Sequence, residues 1–436
     1  MQASGHEQRV VRRIFWTGLI VRLLYITLAH TYRVRPLLDH FQFGWEDGRV
    51  ARALVNGYGY ADPFVGHTGP TAWMPPLYPL LMASVFKLFG VYSAASAWVI
   101  LAINSVFSAA IAPAIYEIAQ RCFNRQHIDV SGRHRNVALW SAWLWALYPA
   151  AIQYAVHWIW EMSLTTCLFT WTLVIALRVR GIGDRQEEKP HATTTLWAIF
   201  GVFWALIAMS NSTLLLFLPV CGVWMLLGGK TRFVPSLGKA ALAAVLCIFT
   251  LMPWIWRNEK VFHAFIPARG NFGAELYQSM LPENDGYPWG TTIPYVENHP
   301  EFIHYKTIGE VAYVREKDEL AKALIRAHPR RFFGYSLKRL YFFWVSVPHP
   351  IEHGWLLEAI REMDYCFLSF AGLFGLGLAL KHRVPAAGLF AWAFLLLPLP
   401  YYFVTTGARF RHPLEPLITI LAVFLFQSTA PRVQSK

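Results

Sequence analysis

Long apolar runs separated by short basic loops constrain this chain more than any other feature. A helix that crosses a bilayer needs about 20 mostly apolar residues. Stretches close to that length are residues 12–31, 97–120, 137–157, 162–178, 195–210, 212–228, 238–256, 364–380, 385–404 and 413–429. Only 15% of the 436 residues are charged, against about 25% in soluble domains. The sequence therefore predicts an all-α polytopic membrane protein with about ten spans.

The basic residues predict which side of the membrane each loop faces. Lys and Arg of short loops favour the cytoplasm, and here they precede the first predicted span and fill alternate loops after it. If residues 77–90 and 331–347 form interfacial helices that do not cross, both termini are cytoplasmic and residues 32–96 and 257–363 are outside. The net charge of +13 is therefore explained by basic residues that set the orientation of the chain in the membrane. We expect no nucleic-acid partner.

The predicted spans divide the chain into three parts. Residues 1–260 form a transmembrane module that contains the first outer loop, 32–96, and residues 261–363 form an outer region with an interfacial helix. Residues 364–436 supply the C-terminal transmembrane helices. The five cysteines lie in or beside apolar runs and form no CxxC pair, which predicts neither disulfides nor a thiolate metal site.

The first outer loop contains the strongest candidates for chemistry. Residues 39–79 are rich in glycine and proline and carry the acidic residues Asp39, Glu46, Asp47 and Asp62. Residues 46–57 predict a short amphipathic helix, with Val50, Ala51, Leu54 and Val55 on its apolar face and Arg49 and Arg52 on its polar face. Carboxylates at its start either complement the helix dipole or serve as a general base or metal ligand.

Other candidates lie at the predicted outer boundary. Glu161, between the third and fourth spans, is either a solvated turn residue or part of a site shared with Glu46. An arginine can bind phosphate through two hydrogen bonds. The alternative role for each candidate below is that of an ordinary arginine at the membrane interface. The candidates for phosphate binding are Arg257, Arg269, Arg409 and Arg411. The sequence identifies no cofactor and leaves open a divalent metal ion shared by Glu46 and Glu161.

Several passages together resemble a known class of membrane enzyme. The acidic first loop leads into GYGY, PPLYPLL and FKLFG, and PWIWRNEKVF, NFGAEL and ARFRHPLEPLI follow later. This combination resembles membrane glycosyltransferases of the GT-C fold. More narrowly, it is similar to the bacterial family that includes the aminoarabinose–lipid A transferase and the Rhizobium lipopolysaccharide transferases, related to protein O-mannosyltransferases. The three later passages also resemble a bacterial family 39 branch of that group.

The resemblance implies a helical GT-C bundle in the bacterial cytoplasmic membrane that transfers a sugar, usually with inversion. The donor would be a polyprenyl-phosphate sugar, and the acceptor a lipid or glycan rather than a protein, at the outer face. Glu46 matches the base of the family best, Asp47 and Asp39 are rivals, and Glu161 matches the second carboxylate. Aminoarabinose transferases carry a lysine before the PP pair where this chain has Met74, so an arginine would have to supply that charge.

Two other functions use similar features. A transporter or flippase for a lipid-linked saccharide would also use outer arginines and an apolar groove, but it does not need a large outer loop. An oligosaccharide ligase or polymerase would take a pyrophosphate-linked donor. The sequence favours the monophosphate-dependent transferase, in contact with membrane lipids, and leaves the donor sugar open.

Overall fold

The computed structural model describes residues 5–34, 43–123, 136–183, 193–227, 233–287, 294, 299–348 and 355–429. Within these ranges the regular secondary structure is helical, and an isolated antiparallel bridge joins Ala61 and Pro70. The prediction of an all-α protein is confirmed. The helices are α1 (Gly5–Leu28), α2 (Glu46–Val55), α3 (Leu77–Phe89), α4 (Ala94–Cys122), α5 (Val137–Leu147), α6 (Pro149–Val156), α7 (Met162–Val179), α8 (Thr193–Ala208), α9 (Leu218–Leu227), α10 (Phe233–Phe262), α11 (Phe272–Met280), α12 (Pro300–Ile308), α13 (Glu310–Ala327), α14 (Pro329–Val345), α15 (Trp355–Lys381), α16 (Ala387–Leu396), α17 (Leu399–Phe403) and α18 (Glu415–Thr429).

Several helices have the length and composition of membrane spans. Those long and apolar enough to cross are Ala94–Cys122, Met162–Val179, Ser236–Phe262 and Glu358–Lys381. Shorter apolar helices of 10–17 residues cover most of the other predicted spans, and α1, with 24 residues, covers the first. The total of ten crossings stays a prediction.

Prolines break two of the spans that were predicted as continuous. Residues 137–157 form α5 and α6, which separate at Pro149, and residues 385–404 form α16 and α17, which separate near Pro398. Proline has no N–H to donate to the carbonyl four residues earlier. At the first break the guanidinium of Arg22 supplies donors, to the carbonyl oxygens of Trp145 (3.3 Å) and Ala146 (2.8 Å). This buried arginine of α1 therefore stabilises the break.

Both of the predicted interfacial helices are present. Helix α3 has 13 residues, which at 1.5 Å per residue gives about 20 Å, less than the ~30 Å of a bilayer core. Helix α14 exposes Phe333, Leu337, Leu340 and Tyr341. Their spacing places them on one face, as in a helix that lies on lipid. Their location in the interface stays a prediction.

The packing brings together the two regions that are predicted to lie outside the membrane, which we continue to call the first outer loop and the second outer region. Helix α4 packs against α1, α5 and α7, and α11 packs against α13 outside this bundle. Phe64 and Trp73 of the first outer loop form one buried cluster with Ala274, Tyr305 and Tyr313 of α11, α12 and α13. The first outer loop is thus held between the bundle and the second outer region.

Candidate functional site

The first outer loop contains the predicted short helix, but its faces differ from the prediction. Helix α2 begins at Glu46 and has Glu46 and Asp47 in its first turn. Val50 and Ala51 are buried as predicted. The assignment of Arg49 to a polar face is wrong, because its side chain is fully buried and Nη1 donates to the carbonyl oxygen of Pro63 (3.1 Å). The helix is enclosed on more sides than an amphipathic surface helix.

A glycine allows the start of α2 to approach the turn that precedes α7. Gly44 has a φ of +83°, and a Cβ there would lie 2.4 Å from the carbonyl oxygen of Ile159. No side chain fits at that distance. The amide of Asn104 on α4 donates to the carbonyl oxygens of Trp158 (3.3 Å) and Trp160 (3.5 Å), which fixes the turn. The contact brings together two segments that lie more than 100 residues apart in the chain.

Five of the predicted site residues form one electrostatic cluster. Asp47 is 2% exposed. Burial raises its pKa well above the ordinary value, the charges of Glu161 and Glu46 raise it further, and Arg269 and Arg409 act in the opposite direction. Burial also raises the pKa of Glu161 against the effects of Arg409 and Arg269. Such effects require close charges, so the structure brings these three carboxylates and two guanidinium groups together.

These carboxylates have no partners of the usual kind. No hydrogen bond or ion pair joins the side chain of Glu46, Asp47 or Glu161 to another residue that the structure describes. A buried polar group such as Asp47 is normally hydrogen-bonded. Acidic groups with a raised pKa and no structural partner, as at Asp47 and Glu161, are typical of functional sites. Asp39, the remaining predicted carboxylate, lies outside the described residues.

Sequence reasoning missed one member of the cluster, Glu275 on α11. Burial raises its pKa, and Arg269 is the first opposing influence. Glu275 Oε1 accepts from Arg269 Nη2 (3.1 Å) and from the amide of Asn271 (3.0 Å). The acid stands in the passage NFGAEL, but nothing local in the sequence shows that it meets Arg269. It holds this arginine in the cluster.

The two arginines of the cluster keep donors available. Arg409 is partly buried, and its guanidinium lies over the rings of Trp160 (4.3 Å) and Phe410 (4.8 Å). It makes no hydrogen bond or ion pair within the described part of the chain. Arg269 Nε donates to the carbonyl oxygen of Trp73 (3.0 Å) and Nη2 donates to Glu275. Both can therefore bind an anion through their remaining N–H groups.

The other two predicted phosphate ligands are used by the fold. Arg257 donates to the carbonyl oxygens of Tyr60 and Thr71, both at 2.7 Å. Arg411 is fully buried and donates to the carbonyl oxygen of Tyr365 (3.0 Å) and to Glu415 (3.2 Å). These contacts give both arginines a structural role, and phosphate binding by either one stays a prediction.

The proline-rich segment 68–76, which we call the rim of the site, is held by a buried carboxylate of α13. Glu310 on α13 accepts from Thr71 Oγ1 (2.5 Å), the Ala72 N–H (2.6 Å) and the hydroxyl of Tyr305 (2.6 Å). Met74, which stands where aminoarabinose transferases have lysine, packs against the neighbouring apolar cluster. The rim is thus rigid and uncharged at that position.

We expect Glu310→Ala to destabilise the protein by about 3 kcal/mol, because it leaves three buried donors without an acceptor. The melting temperature of the purified protein in nanodiscs measures this loss. Glu319→Ala on the same helix is the control, since its exposed pair with Lys322 contributes little. Equal melting temperatures for the two variants would contradict the assigned role.

The raised pKa of Asp47 predicts a pH-dependent cost in stability. An acid whose pKa is raised by folding is destabilising when ionised, so the cost grows as the pH rises from its ordinary value through its folded value. Asp47→Asn should therefore raise the melting temperature at about pH 8, and the gain should shrink towards about pH 4.5. The exposed Glu283→Gln should show neither effect. A gain independent of pH would contradict the electrostatic explanation.

A metal ion at the predicted pair stays a prediction. Among the described residues, no three His, Cys, Asp or Glu side chains are arranged to hold an ion. Glu46 and Glu161 would supply two carboxylates to a divalent ion, which prefers oxygen ligands.

Comparison with known proteins supports the architecture. No protein-family model matches the chain, and no curated protein matches it. The oligosaccharyltransferase of Archaeoglobus fulgidus in its apo form superposes with a TM-score of 0.51 at 13% identity, over 96% of this chain and 51% of that one. The same enzyme tethered to an acceptor peptide gives 0.51 at 12% identity, over 95% and 49%. The chain has a GT-C type fold.

The matches to solved structures cover only part of the larger proteins and have low sequence identity. The chain spans about half the length of the archaeal oligosaccharyltransferase. A further match is ArnT from Cupriavidus metallidurans bound to undecaprenyl phosphate, with 13% identity and a TM-score of 0.37, over 94% of this chain and 78% of that one. At such identities the likeness is one of fold.

Proposed function

We propose that this chain transfers a sugar from a polyprenyl-phosphate carrier to an acceptor hydroxyl at the outer face of the bacterial cytoplasmic membrane, with inversion. The observation that carries the proposal is the cluster itself, in which carboxylates without a hydrogen-bond partner among the described residues lie beside an arginine whose N–H groups make no hydrogen bond there. General base catalysis and stabilisation of a departing phosphate need these two kinds of group. The GT-C type fold is consistent with it.

Glu46 is the proposed base because it is accessible. A general base must come within hydrogen-bond reach of the proton that it takes, and Glu46 is partly exposed whereas Asp47 is 2% exposed. Glu46 takes the proton as the acceptor oxygen attacks the anomeric carbon. The raised pKa of Asp47 favours its neutral form, which limits repulsion between the clustered carboxylates.

Arg409 is the proposed partner of the leaving group, and Arg269 assists it. As the bond between the anomeric carbon and the phosphate oxygen breaks, the electron pair leaves with the polyprenyl phosphate. A guanidinium that is already oriented stabilises the developing charge more strongly in a partly buried site than in water. Glu161 would orient the acceptor, a lipid or a glycan, beside Glu46.

A ligase that uses a pyrophosphate-linked donor is the second candidate. Its support is the presence of two arginines with available donors in one cluster, which suits two phosphate groups. The monophosphate-dependent reaction remains our preferred function, because Arg269 already donates to Glu275 and to the Trp73 carbonyl oxygen and so has fewer donors left for a second phosphate than Arg409 has for the first.

The test is sugar transfer by the purified protein in liposomes with membrane extract as the acceptor source. Radiolabelled sugar is supplied on polyprenyl monophosphate in one reaction and on polyprenyl pyrophosphate in another. We expect labelled product from the monophosphate donor. Product from the pyrophosphate donor alone would favour the ligase, and product from neither would overturn the proposal in favour of transport.

A further inference from the structure

Two tryptophans and an arginine form a stack at the edge of the cluster. The rings of Trp158 and Trp160 lie 4.7 Å apart between centroids with an interplanar angle of 8°. The guanidinium carbon of Arg409 lies 4.3 Å from the centre of the Trp160 ring. Such an arrangement stabilises a cation through the negative face of the indole. It restrains Arg409 without using any of its N–H donors.

A second arginine–tryptophan contact, between Arg180 and Trp224, differs from the contact of Arg409 with Trp160. The Arg180 guanidinium lies 4.1 Å from the Trp224 ring centre, but its Nη1 also donates to the carbonyl oxygen of Trp224. Arg180 is thus fixed by a hydrogen bond as well as by the ring. Arg409 makes ring contacts and is attracted by the nearby carboxylates, but it forms no hydrogen bond with the residues that the structure describes.

The turn that carries Trp160 is itself held in place. Asn104 donates to the carbonyl oxygens of Trp158 and Trp160, and Gly44 lies against the carbonyl oxygen of Ile159. Glu161 follows Trp160 directly. One short turn therefore sets both the place of the arginine and the place of a carboxylate relative to the start of α2.

We propose that Trp160, backed by Trp158, is a positioning residue that orients Arg409 towards the phosphate of the lipid carrier. This inference rests on the proposed function, because it assumes that Arg409 binds that phosphate. The contact with the Trp160 ring restrains the guanidinium, while its planar set of N–H donors stays available for two hydrogen bonds to a phosphate. The orientation is thus prepared before the donor arrives, which lowers the cost of binding.

An aromatic belt at the membrane interface is the alternative role for these tryptophans. Trp158 is 38% exposed, which suits a belt residue. Belt residues act through headgroup contacts, so replacing Trp160 would alter insertion or stability and leave the affinity for a phosphate unchanged. The two roles therefore predict different results for a phosphorylated ligand and its uncharged analogue.

The experiment compares wild type with Trp160→Leu, Trp160→Phe and the control Trp224→Leu. Binding of farnesyl phosphate and of farnesol is measured for purified protein in nanodiscs, together with KM and kcat for the polyprenyl-phosphate sugar. We expect Trp160→Leu to weaken farnesyl phosphate binding and raise KM by about tenfold, with little change in kcat or in farnesol binding. Trp160→Phe, which keeps a ring face, should stay within about threefold of wild type, and Trp224→Leu should bind as wild type does.

The outcomes separate the inference from the proposed function. If wild type neither binds farnesyl phosphate in preference to farnesol nor transfers sugar, the proposed function fails and the inference fails with it. If wild type binds but Trp160→Leu binds within about twofold of it, only the inference is overturned. Should Trp160→Leu fail to fold, Trp158→Leu gives the decision: a weaker loss of about threefold supports the stack, and unchanged affinity overturns it.

Discussion

Glu46→Gln lowers the rate of sugar transfer by about 10²–10⁴-fold while the protein stays folded and binds its donor. The range is the usual contribution of a positioned general base. Glutamine keeps the size and shape of the side chain but cannot take the acceptor's proton. Because Glu46 is partly exposed and has no partner among the described residues, the substitution disrupts no internal contact. The measurement is the single-turnover rate with saturating polyprenyl-phosphate sugar.

Two matched variants make this result interpretable. Glu283→Gln makes the same chemical change at an exposed position of the outer region and should retain the wild-type rate. Asp47→Asn tests the rival base next to Glu46. Near-normal transfer by Glu46→Gln together with a collapse in Asp47→Asn would assign the base to Asp47 and contradict the accessibility argument.

Arg409→Met has the second largest expected effect, on donor binding. Methionine keeps an unbranched apolar chain that can lie on Trp160, so the fold should survive, but the charged donors are lost. Hydrogen bonds to charged groups contribute about 1.5–3 kcal/mol each, which predicts a rise in KM of about 10- to 100-fold. The measurement is KM for the polyprenyl-phosphate sugar, with the exposed Arg326→Met on α13 as control.

The neighbouring arginine provides a sharp contrast. Arg411 is fully buried and holds the segment before α18 through Tyr365 and Glu415. Arg411→Met should therefore lower the yield of folded protein and leave no specific change in KM for the fraction that folds. An unchanged KM in folded Arg409→Met would contradict the assignment of the phosphate to Arg409.

The sequence predicted the helical membrane architecture because long apolar runs have few alternatives in a bilayer. It also predicted the start of α2 at Glu46 and the helices α3 and α14, whose patterns are local. It did not predict that a proline divides each of the spans 137–157 and 385–404 into two helices. At the first break the supporting donors come from Arg22 on another helix. Composition gives no signal for such a partner.

The site was predicted as a set of residue types and not as an arrangement. All four candidate arginines were predicted at or beyond the outer membrane boundary, and their sequence positions do not show which of them has free donors. Only tertiary contacts distinguish the two roles. Arg409 lies over the Trp160 ring, whereas Arg257 donates hydrogen bonds to the carbonyl oxygens of Tyr60 and Thr71. Glu275 was missed for the same reason, because its role depends on Arg269.

The most direct test of the proposed site is a stoichiometric measurement of both products in a single turnover. Purified protein in nanodiscs is given a polyprenyl-phosphate sugar and acceptor, and free polyprenyl phosphate and transferred sugar are quantified together. We predict that wild type releases the two in a one-to-one ratio, and that Glu46→Gln binds the donor with wild-type affinity but releases neither. Equal release by Glu46→Gln and wild type would contradict the account.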